Sequence, residues 1–127
     1  DMHKSRLGVL VIDCHTGDLA EHADFWGAAL GYAVGETDDD GKYVSLKGPP
    51  DEVRIMLQQV DHPSRLHLDI ESDDIEAEVA RLEGLGAKRL AAIRGWVVME
   101  APSGQRFCVV KPQRADFADN ANVWSSG

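Results

Sequence analysis

No stretch of this chain approaches the about 20 consecutive apolar residues that a bilayer-spanning helix needs, so a membrane role is set aside. Basic residues are also sparse. Thirteen Lys and Arg stand against 22 Asp and Glu, the net charge is −9, and the basic residues form no run. A nucleic-acid reader needs a basic stripe to displace counterions from phosphates, which excludes nucleic acid as a partner. The acidity serves solubility instead. Cysteine is scarce too: Cys14 and Cys108 are too few for a disulfide framework. That usage fits a reducing compartment and predicts a cytoplasmic protein. The opening residues, "DMHKSRLGVL", lack the long apolar stretch of a secretory signal.

What is present describes a globular chain. Its 127 residues suit one domain. At that length about two-thirds of the unfolded surface is buried on folding, enough for a core without staples. Residues 7–13, "LGVLVID", read as a buried strand. Asp18 is placed to cap a helix whose Leu19, Ala23, Trp26 and Leu30 form one apolar stripe and which Gly31 ends. Phe25 and Trp26 are assigned to the helix–sheet core. Short strands follow around 33–36, 43–48 and 53–60, with "TDDDGK" as a hairpin turn. The run Asp38-Asp39-Asp40-Gly41 lacks the spaced oxygen ligands and distant Glu of a calcium loop.

The order then repeats. "RLHLDI" is a strand of strict alternation, and Ser72 or Asp73 caps a helix with Ile75, Val79 and Leu82 as its buried stripe, stopped by Gly86. Strands at 88–93, 96–100 and 106–110 complete the set. Each half is therefore strand, helix and three strands, and the helices end on "ALGY" and "GLGA", 55 residues apart. One such unit cannot cover both faces of a four-stranded sheet, so two units side by side would curve around a cavity.

The helix end "DFWGAALGY", the strand "RLHLDI", the helix "VARLEGLGAK" and the final "APSGQRFCVV", in this order, resemble the vicinal oxygen chelate superfamily. Within it the chain is most similar to glyoxalase-like domains related to glyoxalase I and bleomycin-resistance proteins, over residues 6–112. The resemblance implies an α+β fold of two βαβββ modules, about 6–60 and 65–111, forming a cupped, half-barrel sheet arrangement. That domain would span 1–112, with 113–127 as a polar C-terminal extension. The resemblance also implies a homodimer. In metal-dependent members the ligands are His, Gln or Glu on the first, fourth, fifth and eighth strands. Those positions fall here on Leu7 or Gly8, on Gln58 or Gln59, on Arg65 or His67, and on Cys108. This donor set departs from the family's. The usual metal site is therefore expected to be missing or altered, with His67 the only plausible ligand and a divalent metal left open as cofactor.

The residues give their own site reading. Arg65, His67 and Asp69 alternate on one strand and share a face, while Leu66, Leu68 and Ile70 share the other, against the helices. His67 reads as a general base or ligand oriented by Asp69, with Arg65 steering an anionic group. A solvated, self-paired row is the competing reading. Arg54, Met56 and Gln58 share a face of the fourth strand and suit a pocket wall. Trp96 lines a pocket mouth or caps the core. Cys108, sharing a face with Arg106, points into the cavity by the family's register, as a reactive thiol or as a small buried apolar group. Trp124 docks the tail on the body or on a partner, and no partner is assigned to His3, His22 or His62.

The function expected from all this is binding of a small molecule in the cavity, without the usual metal site. Arg65, His67, Asp69, Gln58, Trp96 and Cys108 would be its ligand-binding residues. Two alternatives stay open. One is a metal-dependent lyase, isomerase or dioxygenase. The other is a thiol-based enzyme or sensor using Cys108. In any enzyme reading the catalytic groups are His67 and Cys108.

Overall fold

A computed structural model describes residues 2–125. Its elements run β1 (Met2–Cys14), α1 (Leu19–Leu30), β2 (Ala33–Thr37), β3 (Tyr43–Lys47), β4 (Arg54–Gln59), β5 (Arg65–Ser72), α2 (Ile75–Gly84), β6 (Lys88–Ile93), β7 (Trp96–Glu100), β8 (Arg106–Val110), α3 (Phe117–Asn120) and β9 (Asn122–Ser125). The fold is α+β, and the βαβββ order occurs twice, as the sequence leads one to expect. No helix among the described residues is long and apolar enough to cross a membrane. The chain forms two compact units, Val9–His67 and a second made of the residues up to Gly8 with those from Leu68 on. β1 and β5 each pass from one unit into the other.

In the Val9–His67 unit the strands lie in the order β2-β3-β4-β1. β3 is antiparallel to both β2 and β4, and β4 is parallel to β1, with Ile12 opposite Leu57. The parallel pairing follows from the α1 crossover that separates β1 from the later strands. Asp18 caps α1 by accepting a hydrogen bond from Ala20 N at 3.0 Å. At the other end Gly31 adopts φ +75°, a left-handed conformation that a side chain would strain. The core gathers Ile12, Cys14, Leu19, Ala23, Val44, Leu46 and Leu57 between α1 and the sheet. Two expectations for α1 are corrected. Leu30 and Phe25 are exposed, and Trp26 only packs on the core's margin, with Phe25 standing edge-on to it. The buried stripe is Leu19, Ala23 and Gly27, because close approach of the helix to the sheet admits only small residues at its centre.

In the second unit the strand order is β5-β8-β7-β6, with β8 parallel to β5 and antiparallel to β7. Val79, Leu82, Val97, Met99 and Val109 form its core, with Ile70, Ile75, Ala87 and Phe107 packed around them. The cap of α2 is Asp74, not Ser72 or Asp73, since its carboxylate is the one that reaches Ala77 N, at 3.0 Å. Leu85 caps the helix, and Gly86 stops it as expected, at φ +108°. Leu66 and Leu68, expected against the helices, are exposed, and of that row only Ile70 joins a core.

The first strand is longer than its apolar pattern indicates, beginning at Met2. Its early residues are polar, and they are held by two fully buried carboxylates of the same unit. Glu78 accepts hydrogen bonds from His3 (2.8 Å), Ser5 (2.7 Å) and both ends of the Arg81 fork (2.8 Å each). Glu71 accepts from Arg6 (2.5 Å) and from the backbone of Gln113 (2.6 Å) and Arg114 (3.2 Å). The tail is built into this arrangement. β9 pairs antiparallel with Met2–Ser5, Phe117 is buried, and Trp124 donates to Ser5 Oγ at 2.8 Å beneath the Arg81 guanidinium. His3, left without a partner in the sequence, thus has Glu78. His22 and His62 likewise meet backbone carbonyls, those of Thr16 and Pro63.

Candidate functional site

The site begins with strand parity in the Val9–His67 unit. Leu10, Ile12 and Cys14 of β1, Ile55 and Leu57 of β4, and Val44 and Leu46 of β3 all face α1. Their neighbours Val11 and Asp13, Met56 and Gln58, and Tyr43 and Ser45 must then project from the face that α1 leaves uncovered. Register aligns them into two rows across the strands. Asp13 lies opposite Gln58, which lies opposite Tyr43. Val11 lies opposite Met56, which lies opposite Ser45. A polar row therefore borders a softer apolar one. Gln58 Nε2 donates to Tyr43 Oη at 3.0 Å, and Arg54, further along β4, donates to Ser45 Oγ at 3.0 Å.

His67 extends the polar row. Its Nδ1 lies 2.8 Å from Asp13 Oδ2. A carboxylate only accepts, so Nδ1 is the donor in this pair. Such an imidazole is fixed in orientation by the bond at Nδ1. Asp13 is only 2% exposed. Its second oxygen, Oδ1, is buried and has no hydrogen-bond partner among the described residues. An orphaned buried acceptor costs about 1–3 kcal/mol, more when charged. Arg65 Nε stands 3.7 Å from Asp13 Oδ2, and its side chain is 46% exposed, so solvent screens the pair and its contribution to stability is small. The Arg65 head also meets His62 Nε2 at 3.3 Å. Behind Asp13, on the α1 side, burial and then the charge of Asp13 push the Cys14 thiol above its ordinary pKa.

The sequence-derived site residues divide between the two units. Arg65, His67 and Gln58 lie in the Val9–His67 unit, along the face just described. Asp69, Trp96 and Cys108 lie in the other. There Asp69 is the register partner of Cys108 on adjacent parallel strands. Phe107 and Val109 pack toward α2, so Cys108 projects from the opposite face, half-buried. Trp96 opens β7, half-buried, opposite Ile93 across the hairpin.

Asp69 is not the residue that holds His67 Nδ1; Asp13 is. Residues two apart along a strand are about 6.6 Å apart, whereas neighbours across strands come within about 5 Å. The partner of Nδ1 is thus a carboxylate on a different strand from the one sequence proximity suggests. The available signal was a lone charge closing the buried aliphatic run "LGVLVID".

The positions that the resemblance assigns to metal ligands do not reproduce the family's donor set. Leu7 and Gly8 carry no donor. Gln59 turns toward the end of β1 and donates to the carbonyls of Cys14 (3.0 Å) and His15 (2.8 Å), while Gln58 holds Tyr43. His67 and Cys108 supply an imidazole and a thiol in place of the remaining His, Gln or Glu.

A family model described as "Glyoxalase-like domain" matches residues 9–110. No curated protein sequence matches the chain. Among solved structures, a hypothetical protein from Bacillus halodurans C-125 is similar at 17% identity and a TM-score of 0.59, covering 86% of this chain and 96% of that one. Methylmalonyl-CoA epimerase from Mycobacterium tuberculosis is similar at 18% identity and 0.59, covering 84% and 87%. Homoprotocatechuate 2,3-dioxygenase from Arthrobacter globiformis is similar at 20% identity and 0.57, covering 86% of this chain but 36% of the dioxygenase. At these identities the likeness is one of fold.

Proposed function

This chain belongs to the glyoxalase-like domain family of the vicinal oxygen chelate superfamily, and we propose that it binds a small molecule bearing an anionic or carbonyl group. The ligand lies on the face of the Val9–His67 unit that α1 leaves uncovered. Its apolar part rests on half-buried Met56, and its polar group meets Arg65 and His67. The observation that carries this reading is the buried Asp13 carboxylate, with one oxygen on His67 and the other without a partner. Stability alone gives no reason to keep such a group. The long, screened contact of Arg65 leaves its guanidinium able to turn toward an anion. The binding needs no metal, in keeping with the altered donor set.

The test is a titration of the 15N-labelled protein with propionate, pyruvate and lactate, followed through the amides of residues 13, 56, 58 and 67. These amides are expected to move, and Arg65→Ala is expected to weaken binding about tenfold, the equivalent of one charge-assisted hydrogen bond. No movement with any of the three up to about 10 mM, a concentration where ligands held by only −4 kcal/mol are saturated, would remove the reading. Metal analysis of protein purified without chelator is the companion measurement. Substoichiometric metal is expected. A stoichiometric divalent ion that disappears in His67→Ala would replace this proposal with a metal-dependent lyase, isomerase or dioxygenase.

A further inference from the structure

We infer that Asp13 is a specificity residue, and that the polar row selects a 2-hydroxy acid over the matching 2-oxo or unsubstituted acid. The inference rests on the binding site proposed above and adds the ligand's second group. Two oxygens of one buried carboxylate are treated differently in this fold. Oδ2 accepts from His67 Nδ1 at 2.8 Å and has Arg65 Nε at 3.7 Å. Oδ1 is buried and accepts nothing from the described residues. The nearest amide by register, Gln58, is committed to Tyr43 through its Nε2. A carboxylate oxygen cannot donate, so the group that completes Oδ1 must be a donor.

The oxygens of one carboxylate are adjacent. A ligand whose carboxylate is taken by Arg65 therefore needs its donor on the next carbon to reach Oδ1. Arg65 can turn to take that carboxylate, being half-exposed and in only long contact with Asp13 Oδ2 and His62. An ammonium donor would enter beside the guanidinium of Arg65, and that like charge disfavours a 2-amino acid. A hydroxyl brings the donor without the charge. A 2-oxo acid instead sets a carbonyl oxygen against Oδ1, two acceptors facing each other across a buried contact, and an unsubstituted acid leaves Oδ1 as it was. Sites built to pair a ligand hydroxyl discriminate strongly against analogues that lack it, because their own buried group is then left unpaired.

Lactate, pyruvate and propionate differ at this one carbon and serve as probes. Wild-type protein is expected to bind lactate at least tenfold more tightly than either of the others in the same titration. In Asp13→Asn the amide keeps an oxygen for His67 Nδ1 and turns an N–H₂ toward the ligand. The lactate preference should then vanish or pass to pyruvate. Equal binding of the three acids, still weakened by Arg65→Ala, would overturn the selectivity while leaving the binding site intact. Absence of Arg65-dependent binding by any acid would overturn the site itself. If Asp13→Asn does not fold, the wild-type ranking of the three acids decides alone: a tenfold lead for lactate upholds the inference, and a flat ranking ends it.

Discussion

Arg81→Ala removes a bidentate ion pair on a fully buried carboxylate. Arg81 places Nε and Nη2 each 2.8 Å from the two oxygens of Glu78, a bidentate pair on a carboxylate with no solvent exposure. It also covers the ring of Trp124 at 3.9 Å from the centroid. The substitution leaves Glu78 with only His3 and Ser5 as donors. Removing one partner of a buried ion pair typically costs about 3–5 kcal/mol. The Arg81 side chain is 26% exposed, so water can enter after truncation, and the lower end, about 3 kcal/mol, is expected. For a chain of this size that corresponds to a fall in Tm of roughly 10 °C. The pH dependence gives a second readout. Desolvation pushes the Glu78 carboxyl up, but hydrogen bonds from Arg81, His3 and Ser5 and the Arg81 charge outweigh it and hold the carboxyl below its ordinary value. A carboxyl lowered in the folded state stabilises fully above its unfolded pKa, about 4.3, and loses that contribution as the pH falls through the folded value. The gap between wild type and Arg81→Ala should therefore be widest near neutrality and close below about pH 4. Urea unfolding followed by circular dichroism at pH 7 and pH 3 measures both. A loss under 1 kcal/mol at pH 7, or a gap unchanged at pH 3, would refute this account of how Glu78 is stabilised.

Two further outcomes are expected. In Gly8→Ala the added Cβ would stand 2.8 Å from Glu71 Cγ, whose carboxylate is buried and anchored to Arg6 and the Gln113 backbone, so it cannot give way freely. A loss of about 1–3 kcal/mol is expected in thermal unfolding, and an unchanged Tm would show that Glu71 is less fixed than its bonds imply. Cys14 is buried and its thiol is pushed up by burial and by Asp13, so folded protein at pH 8 should alkylate there far more slowly than protein in urea. Equal rates in mass-mapped labelling would contradict the packing around it.

The doubled βαβββ order was legible because each element carries its own local signal: alternation for strands, an Asp cap and a stripe for helices, Asp-Gly or Gly at turns. The class of fold followed from the order alone. Burial along those elements was less legible. Leu66, Leu68, Phe25 and Leu30 are as apolar as the residues that do form the cores, and their exposure depends on where each helix ends and how closely it approaches the sheet. The polar start of β1 gave no strand signal, because what holds it are Glu71, Glu78 and β9, all more than 60 residues away along the chain. The site was read in part. Alternation on β5 placed His67 and Arg65 on one face, but the carboxylate that fixes His67 comes from another strand. Register between strands is decided by turns and crossovers, not by the strand's own letters.

Three carboxylates are buried among the described residues, and they separate structure from function. Glu71 and Glu78 are completely enclosed, and each is matched by a guanidinium and by further hydrogen-bond donors. Glu78 has four bonds shared over its two oxygens, and Glu71 has Arg6 on one oxygen and two backbone amides on the other. Glu78 holds the start of β1, Glu71 joins β1 to the backbone after β8, and for both the desolvation cost is met on each oxygen. Asp13 is buried to nearly the same degree, yet only one of its oxygens is matched, and that by an imidazole with a polar row beside it. A carboxylate kept for stability alone would be expected to resemble the other two. An asymmetric one, facing a side chain that can accept a proton and an arginine that can move, is arranged for a molecule that arrives later. The same chain thus supplies its own standard for what a purely structural buried acid looks like, and Asp13 departs from it in the way a binding residue would.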